Sequence, residues 1–222
     1  MVRAGEKMTT MLAILLLGFL PFTPADPDPV LDFCIPESGS VHPDLNRLGS
    51  IPCKNPSNVT ADDFVFSGII SRGNFSPSTG FAGVAVNPAQ FPALNTLGMS
   101  FARADFEPGG VNPPHYHPRA TETALVVEGS VYSGFVDSGG RVYAKVVEKG
   151  QVMVFPRGMV HFQMNVGDST ATIFGSFNSQ NPGLVRIPGT IFGSAIKVEL
   201  LERAFGLSAK ELAKLKRRFE SS

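Results

Sequence analysis

Short apolar segments separated by glycine, proline and aspartate follow one another from about residue 97 to about residue 187. They are rich in valine and phenylalanine, recur roughly every ten residues and in places alternate apolar with polar positions, which is typical of β-strands. Two of them, T-A-L-V-V-E and S-V-Y-S-G-F-V, meet at Gly129, and D-S-G-G at 137–140 has the composition of a hairpin turn. The sequence therefore predicts an all-β fold, an antiparallel sandwich or jelly-roll β-barrel.

The last part of the chain has a helical pattern instead. Apolar residues recur at helical spacing up to Phe205, and Gly206 stands at the position of a C-cap. S-A-K-E at 208–211 is a capping box that opens a second amphipathic helix. We therefore predict a helical hairpin, with helices over about 196–205 and 209–219. Its apolar stripe either packs on its own domain or contacts a neighbouring subunit.

The N-terminus has the features of a secretory signal peptide. Arg3 and Lys7 precede the apolar stretch M-L-A-I-L-L-L-G-F-L, which is too short to span a bilayer. Small residues around Ala25 suit cleavage after that position. A short membrane anchor is the alternative interpretation. We predict that the mature protein is secreted and keeps no membrane span.

These patterns divide the chain into four parts. We predict a signal peptide at 1–25, an extended and disulfide-tied arm at 26–60, the β-barrel at 61–193 and the C-terminal helical segment at 194–222. Balanced charge, with 19 basic and 19 acidic residues, gives no nucleic-acid-binding footprint.

Cys34 and Cys53 are the only two cysteines. In an oxidising compartment an isolated pair is most simply one disulfide, and closing a loop of about 19 residues stabilises by roughly 3 kcal/mol in the chain-entropy model. Asn58 opens the N-glycosylation sequon N-V-T, which fits the same compartment. Asn74 opens a second sequon, N-F-S, whose use we expect to be weaker because Pro77 follows it.

The candidate chemistry is concentrated in two segments. G-V-N-P-P-H-Y-H-P-R-A-T-E places His115, His117 and Glu122 close together, and His161 lies in a second glycine- and proline-punctuated segment. Three imidazoles and one carboxylate are a metal-binding set of nitrogen and oxygen donors. His-x-His on a strand points both rings to one face of that strand. Glu122 lies five residues after His117, an odd number, so on an unbroken strand its side chain would point to the opposite face. We therefore expect a bend or bulge at Pro118 that brings Glu122 to the face of the histidines. The alternative is that these are unrelated polar residues of an all-β domain.

The donor set also limits the choice of metal. Zinc in proteins is usually tetrahedral, so these four ligands would saturate it and make a closed, structural site. A six-coordinate manganese or iron(II) ion would keep two positions open. Its net positive charge would favour small anions such as superoxide or a dicarboxylate.

Two segments carry a family resemblance. P-G-G-V-N-P-P-H-Y-H-P-R-A-T-E at 108–122 and G-Q-V-M-V-F-P-R-G-M-V-H-F-Q-M-N at 150–165 resemble the sequence boxes of germins and germin-like proteins, which belong to the cupin superfamily. The similarity extends to D-P-D-P-V-L-D-F-C at 26–34, N-T-L-G-M-S at 95–100 and S-F-N-S-Q-N-P-G at 176–183. It therefore spans nearly the whole mature chain.

The resemblance implies a fold, a cofactor and an assembly. It implies a cupin β-barrel that binds one manganese ion per subunit through four side chains, namely His115, His117, Glu122 and His161. It also implies a disulfide of the Cys34–Cys53 type, a homohexamer built as a trimer of dimers, and an extracellular location in the plant apoplast or cell wall. A role in the cell wall or in defence would follow.

The resemblance leaves the reaction open. Some family members oxidise oxalate with dioxygen to carbon dioxide and hydrogen peroxide, and many others show superoxide dismutase activity. Oxalate oxidases carry an asparagine just before the arginine of the R-x-D-F segment, where this chain has Ala102, while a second asparagine associated with oxalate, Asn112, is retained. Losing one amide donor should cost about 1–3 kcal/mol of oxalate binding. We therefore predict superoxide dismutase activity, with a non-catalytic binding or storage protein and an oxalate oxidase as the alternatives.

Other polar residues near the two boxes have less specific roles. Arg119 and Arg157 either steer anions or form structural ion pairs at the barrel mouth. Gln163 and Asn165 share the strand parity of His161, so each either orients a ligand or serves packing and turn capping.

Overall fold

The structure is a computed structural model that describes residues 31–37 and 52–219. Within those residues, ten antiparallel strands form two five-stranded sheets. The strands are β1 Phe81–Val86, β2 Ser100–Phe106, β3 Val111–Tyr116, β4 Glu122–Glu128, β5 Ser130–Val136, β6 Val142–Glu148, β7 Val152–Phe155, β8 Val160–Asn165, β9 Ala171–Phe177 and β10 Val185–Arg186. One sheet has the order β1-β2-β9-β4-β7 and the other β10-β3-β8-β5-β6. The predicted all-β class is confirmed.

The hydrophobic core lies between the two sheets. Phe106, Val126 and Phe155 come from one sheet and Val131 from the other, and each is at most 1% exposed. The strand β4 alternates buried and exposed positions, as expected where one face meets the core and the other meets solvent. Burying a side chain such as Phe or Val stabilises by about 1.5–3 kcal/mol, so this core holds the two sheets together.

Gly129 takes the chain from one sheet to the other, between β4 and β5. Its φ is 79°, and a Cβ there would lie 2.8 Å from the Cβ of Ala171. A side chain would therefore be strained and would clash at once.

A disulfide between Cys34 and Cys53 ties the N-terminal arm together, in agreement with the prediction. Backbone hydrogen bonds flank it, and the Asn95 side-chain amide donates to the Cys34 carbonyl at 2.9 Å. The signal peptide, the predicted cleavage site and most of the arm up to residue 51 lie outside the described residues.

Three helices complete the described chain: α1 Ile187–Phe192, α2 Val198–Phe205 and α3 Ala209–Phe219. The predicted pair corresponds to α2 and α3. Gly206 ends α2 with a φ of 65°, and Glu211 accepts hydrogen bonds from the backbone and hydroxyl of Ser208, as a capping box requires. Leu201 and Leu212 are fully buried, so part of the apolar stripe packs within the chain. Among the described residues, no helix is long and apolar enough to cross a membrane.

Four elements were not predicted from the sequence. The strand β1 is preceded by polar turn residues and contains Gly83, which weakens its strand pattern. The strand β10 has only two residues, and α1 begins at Ile187 with Pro188 in its first turn. The strand β3 includes Pro113 and Pro114 within a segment whose composition indicates a turn.

Candidate metal centre

The four candidate ligands come from both sheets and meet at one end of the barrel. His115 lies on β3, His161 is its register partner on β8, and His117 follows the end of β3. Glu122 opens β4 in the opposite sheet. All four side chains are buried, and their ligand atoms all lie within 4.8 Å of one another. The buried cluster fits a metal site.

The predicted bend at Pro118 is not what brings Glu122 to the histidines. The chain leaves β3 at Tyr116 and crosses to the other sheet before Glu122, so the strand parity argument does not apply to this residue. A register irregularity does occur, but it lies earlier, between Asn112 and His115. Glu122 therefore faces the imidazoles from across the barrel.

Backbone carbonyls fix the orientation of all three imidazoles. Nδ1 of His115 donates to the carbonyl of Pro113 at 2.8 Å, and Nδ1 of His161 donates to that of Met159 at 2.9 Å. Nδ1 of His117 donates to the carbonyl of Gly183. Because each Nδ1 carries the proton, each Nε2 presents its lone pair to the centre of the cluster.

The geometry around Glu122 suits a bound cation. Its Oε2 lies 3.1 Å from Nε2 of both His117 and His161. If Nδ1 holds the proton of each neutral ring, these contacts bring lone pairs against a carboxylate oxygen, which is unfavourable without a cation between them. A cation bound between these atoms would be coordinated by the imidazole lone pairs and the carboxylate oxygen together.

Electrostatics at the cluster keep its groups in the forms that bind metals. Burial lowers the pKa of His115 to about 3. Burial alone would raise the pKa of Glu122, but the imidazoles of His117 and His161, which stabilise the carboxylate when they are protonated, outweigh burial and lower that pKa to about 2. Glu122 is therefore ionised and His115 neutral near neutral pH.

A cavity of about 320 Å³ opens beside the cluster, between β1 and β2 on one side and β3 and β8 on the other. Asn112 and Gln163 line its polar side, and the Asn112 amide donates to Oε1 of Gln163 at 2.8 Å. The same Asn112 nitrogen lies 3.5 Å from Nε2 of His115. Ala102, the position singled out in the sequence analysis for oxalate binding, lies on the opposite wall and lines the cavity.

The amino-acid sequence of this chain is similar to those of known proteins. The sequence profile of the cupin family matches residues 68–213. The chain is 64% identical over 212 residues to Germin-like protein 2-4 of Oryza sativa subsp. japonica, covering 94% of this chain and 93% of the relative. It is 60% identical over 219 residues to Germin-like protein subfamily 3 member 2 of Arabidopsis thaliana, covering 97% and 96%. This chain belongs to the germin-like proteins of the cupin superfamily.

A solved structure of an oxalate oxidase in complex with the substrate analogue glycolate is also similar to this germin-like chain. It superimposes with a TM-score of 0.81 at 41% sequence identity, over 89% of this chain and 99% of that one. The similarity confirms the fold and the family resemblance drawn from the sequence.

Arg119 and Arg157 have structural partners, although they are hydrogen bonds to neutral groups and not the predicted ion pairs. Arg119 donates from Nε to the carbonyl of Asn181 at 2.7 Å and from Nη2 to that residue's side-chain oxygen at 2.8 Å. Arg157 donates from Nε to the carbonyl of Pro118 at 2.9 Å. Arg119 thereby holds the segment that carries Gly183, whose carbonyl orients His117.

Gln163 and Asn165 have different surroundings despite their shared strand parity. Gln163 lines the cavity, whereas Asn165 donates to the carbonyls of Phe106, Glu107 and Ser169. Its side-chain oxygen also accepts from the backbone of Gly167. Asn165 therefore stabilises the strand ends and has no contact with the metal cluster.

Arg186 is a cavity residue that sequence reasoning did not select. It lies on β10 directly opposite His115 on β3, and it lines the cavity. Its position depends on the pairing of a two-residue strand, which carries almost no sequence signal.

Both candidate glycosylation residues, Asn58 and Asn74, are exposed.

Proposed function

We propose that this germin-like protein binds one manganese ion through its buried cluster and dismutes superoxide. The observation that carries the proposal is the convergence of three imidazole Nε2 lone pairs and one carboxylate, each imidazole held by a backbone carbonyl. The four ligand residues are His115, His117, Glu122 and His161.

The spacing of the ligand atoms is compatible with a six-coordinate ion. With bonds of about 2.1 Å, two donors at right angles lie about 3.0 Å apart, and two donors at the tetrahedral angle lie about 3.4 Å apart. Oε2 of Glu122 lies 3.1 Å from Nε2 of both His117 and His161. A six-coordinate ion held by four ligands leaves two positions for a small guest.

Manganese would supply the one-electron couple between Mn(II) and Mn(III) that is needed to oxidise one superoxide and reduce the next. The residues of the chain hold and orient the ion and balance its charge with a single carboxylate, Glu122. The resulting positive centre attracts small anions, and the cavity gives them access. The amides of Asn112 and Gln163 lie beside the cluster, where they can donate to a bound anion.

Oxalate oxidation is the weaker alternative because one side of the cavity lacks a donor. An oxalate dianion must be oriented by polar groups, and Ala102 provides none on its wall of the cavity. Asn112 remains available on the other wall. Superoxide needs only an open coordination position and a redox couple.

A non-catalytic binding protein is the second candidate, and the cavity is the observation that favours it. A cavity of about 320 Å³ is far larger than superoxide requires, and ligand sites commonly begin at about this size. In that case the bound metal would serve as a structural or ligand-binding group.

We further propose that the chain is secreted after cleavage at Ala25 and assembles as a homohexamer in the apoplast or cell wall. The exposed apolar residues of α2 support an assembly, since Leu200 is 59% exposed and Phe205 48% exposed. The exposed Asn58, and less so Asn74, would carry the glycan. Sedimentation of the mature protein at the mass of a single chain would refute the hexamer.

Dismutation is tested with protein that has been stripped of metal and then reloaded. Manganese should restore the activity, while zinc should bind without restoring it. A signal that returns equally with free manganese and no protein would instead favour the binding role.

A further inference from the structure

The cavity beside the metal cluster has one polar wall and one apolar wall. The polar wall comes from β3 and β8 and carries the cluster together with Asn112 and Gln163. The facing wall comes from β1, β2 and β9, where Ala85, Ala102 and Gly175 lie side by side in register. Ile173 and Phe177 extend this wall with larger apolar side chains. A guest would therefore meet hydrogen-bond donors on one side and hydrocarbon on the other.

The small side chains on the apolar wall create the room. The cavity of about 320 Å³ corresponds to about ten water molecules at the volume each has in the liquid. A diatomic anion would fill only a small part of it. A guest with a hydrophobic body would bury the apolar surface of this wall, and burying apolar surface stabilises binding.

Arg186 supplies a positive charge at the open edge of the cavity. It is directly opposite His115 in the β10–β3 pair, and opposite residues of an antiparallel pair point to the same face, so its side chain is directed to the cavity side. Within residues 31–37 and 52–219, its guanidinium has no hydrogen bond or ion pair, while its backbone pairs with β3. Arg103, which also borders the cavity, is instead engaged by Asp105 at 2.8 Å.

Gln163 adds a donor that is free to bind a guest. Its side chain is 3% exposed and lines the cavity, and its oxygen accepts from Asn112 at 2.8 Å. Its amide nitrogen has no partner among residues 31–37 and 52–219. This nitrogen is accessible from the cavity that Gln163 lines, so it can donate to an acceptor bound there.

We propose that the cavity binds a small monocarboxylate with a compact apolar body, such as a one-ring aromatic or branched aliphatic acid. The carboxylate would be held by the metal, Gln163 and Arg186, and the body would lie against the wall formed by Ala85 and Ala102. This inference rests on the proposed metal centre. A second carboxylate is disfavoured because the apolar wall offers it no donor.

The test uses manganese-loaded protein and three probes: benzoate, acetate and benzamide. Acetate has the carboxylate without the body, and benzamide has the body without the charge. Calorimetric titration should show benzoate binding at least about tenfold more tightly than either, because burying a ring contributes about 1.5–3 kcal/mol. Manganese(II) should also enhance the relaxation of the benzoate ring protons, which would locate the ring beside the cluster.

Two substitutions separate the two halves of the proposal. Ala102→Leu fills the apolar wall and should weaken benzoate about tenfold while leaving acetate nearly unchanged. Arg186→Gln should weaken benzoate and acetate about tenfold and leave benzamide unchanged. Arg157→Gln is the matched control, because it removes an arginine outside the cavity and should change none of the three.

Manganese content and thermal unfolding are measured on every sample. Equal affinity for benzoate and acetate on fully loaded protein, or equal effects of Arg186→Gln and Arg157→Gln, would overturn the ligand class while leaving the metal centre intact. Protein that takes up no manganese would overturn both.

Discussion

Placing an amide at position 102 should create an oxalate site in this chain. In the structure Ala102 faces the cavity from β2, between Ala85 on β1 and Gly175 on β9. Neither neighbour has a side chain larger than a methyl group, so Ala102→Asn can be accommodated without displacing the core. Its amide would provide the donor that this wall lacks.

The size of the effect follows from one added hydrogen bond to a charged guest. Such a bond is worth about 1.5–3 kcal/mol, which corresponds to about a 10- to 150-fold gain in affinity. Oxalate affinity is measured by calorimetry on manganese-loaded protein, and oxalate-dependent hydrogen peroxide release is followed on the same samples. Both should rise in Ala102→Asn over the unmodified protein.

The matched control is Ala102→Leu, which adds a side chain of similar shape without a donor. It should leave oxalate binding unchanged or weaker. The reasoning would be refuted if the two variants behaved alike, because the effect would then come from volume and not from the amide. Robust oxalate-dependent peroxide release by the unmodified protein would refute it as well.

Three further predictions concern metal retention and stability. His161→Ala should remove most of the bound manganese while leaving a folded barrel, as followed by metal analysis and circular dichroism; full retention would exclude His161 as a ligand. Asn165→Ala should lower the free energy of unfolding by about 2–3 kcal/mol in urea titrations, since it removes one buried and two part-buried hydrogen bonds to backbone carbonyls, yet manganese content should not change. Reducing the bond between Cys34 and Cys53 should lower the same free energy by about 3 kcal/mol, and the loss should be absent from a variant with both cysteines replaced by serine.

A pH prediction completes the set. Burial lowers the pKa of His115 in the folded, metal-free protein to about 3, below its ordinary value of 6.5. Between these two values the unfolded state binds more protons, so the free energy of unfolding should fall as the pH falls below about 6.5, by up to about 1.4 kcal/mol per pH unit from this group. Urea titrations of metal-free protein at pH 7 and pH 5 measure this, and equal values would contradict it.

Much of the candidate site could be predicted because its signals are local. His-x-His spacing, the glycine and proline punctuation of both boxes and the capping box at Ser208 each depend on residues close together in the chain. The same holds for Gly206, where a left-handed backbone ends α2. Strong periodicity likewise indicated the strands between Ser100 and Phe177, with the exception of β3.

The remainder depends on pairings between distant segments, which a single sequence does not specify. Glu122 reaches the histidines because β3 and β4 belong to different sheets, and not through a bend in one strand. Gly183 orients His117 through a carbonyl that is 66 residues away in sequence. Arg186 enters the cavity only because β10 pairs with β3. Every residue has a backbone carbonyl, so no sequence motif identifies the carbonyls that accept hydrogen bonds from the imidazoles in the folded chain.

The most direct test of the account is the metal content and activity of the mature protein, purified without added metal. Inductively coupled plasma mass spectrometry should find about one manganese per chain, as the four converging ligands imply. The same sample should dismute superoxide, lose that activity on chelation and regain it with manganese but not with zinc. Zinc at full occupancy, or fully manganese-loaded protein without dismutase activity, would contradict the proposed function.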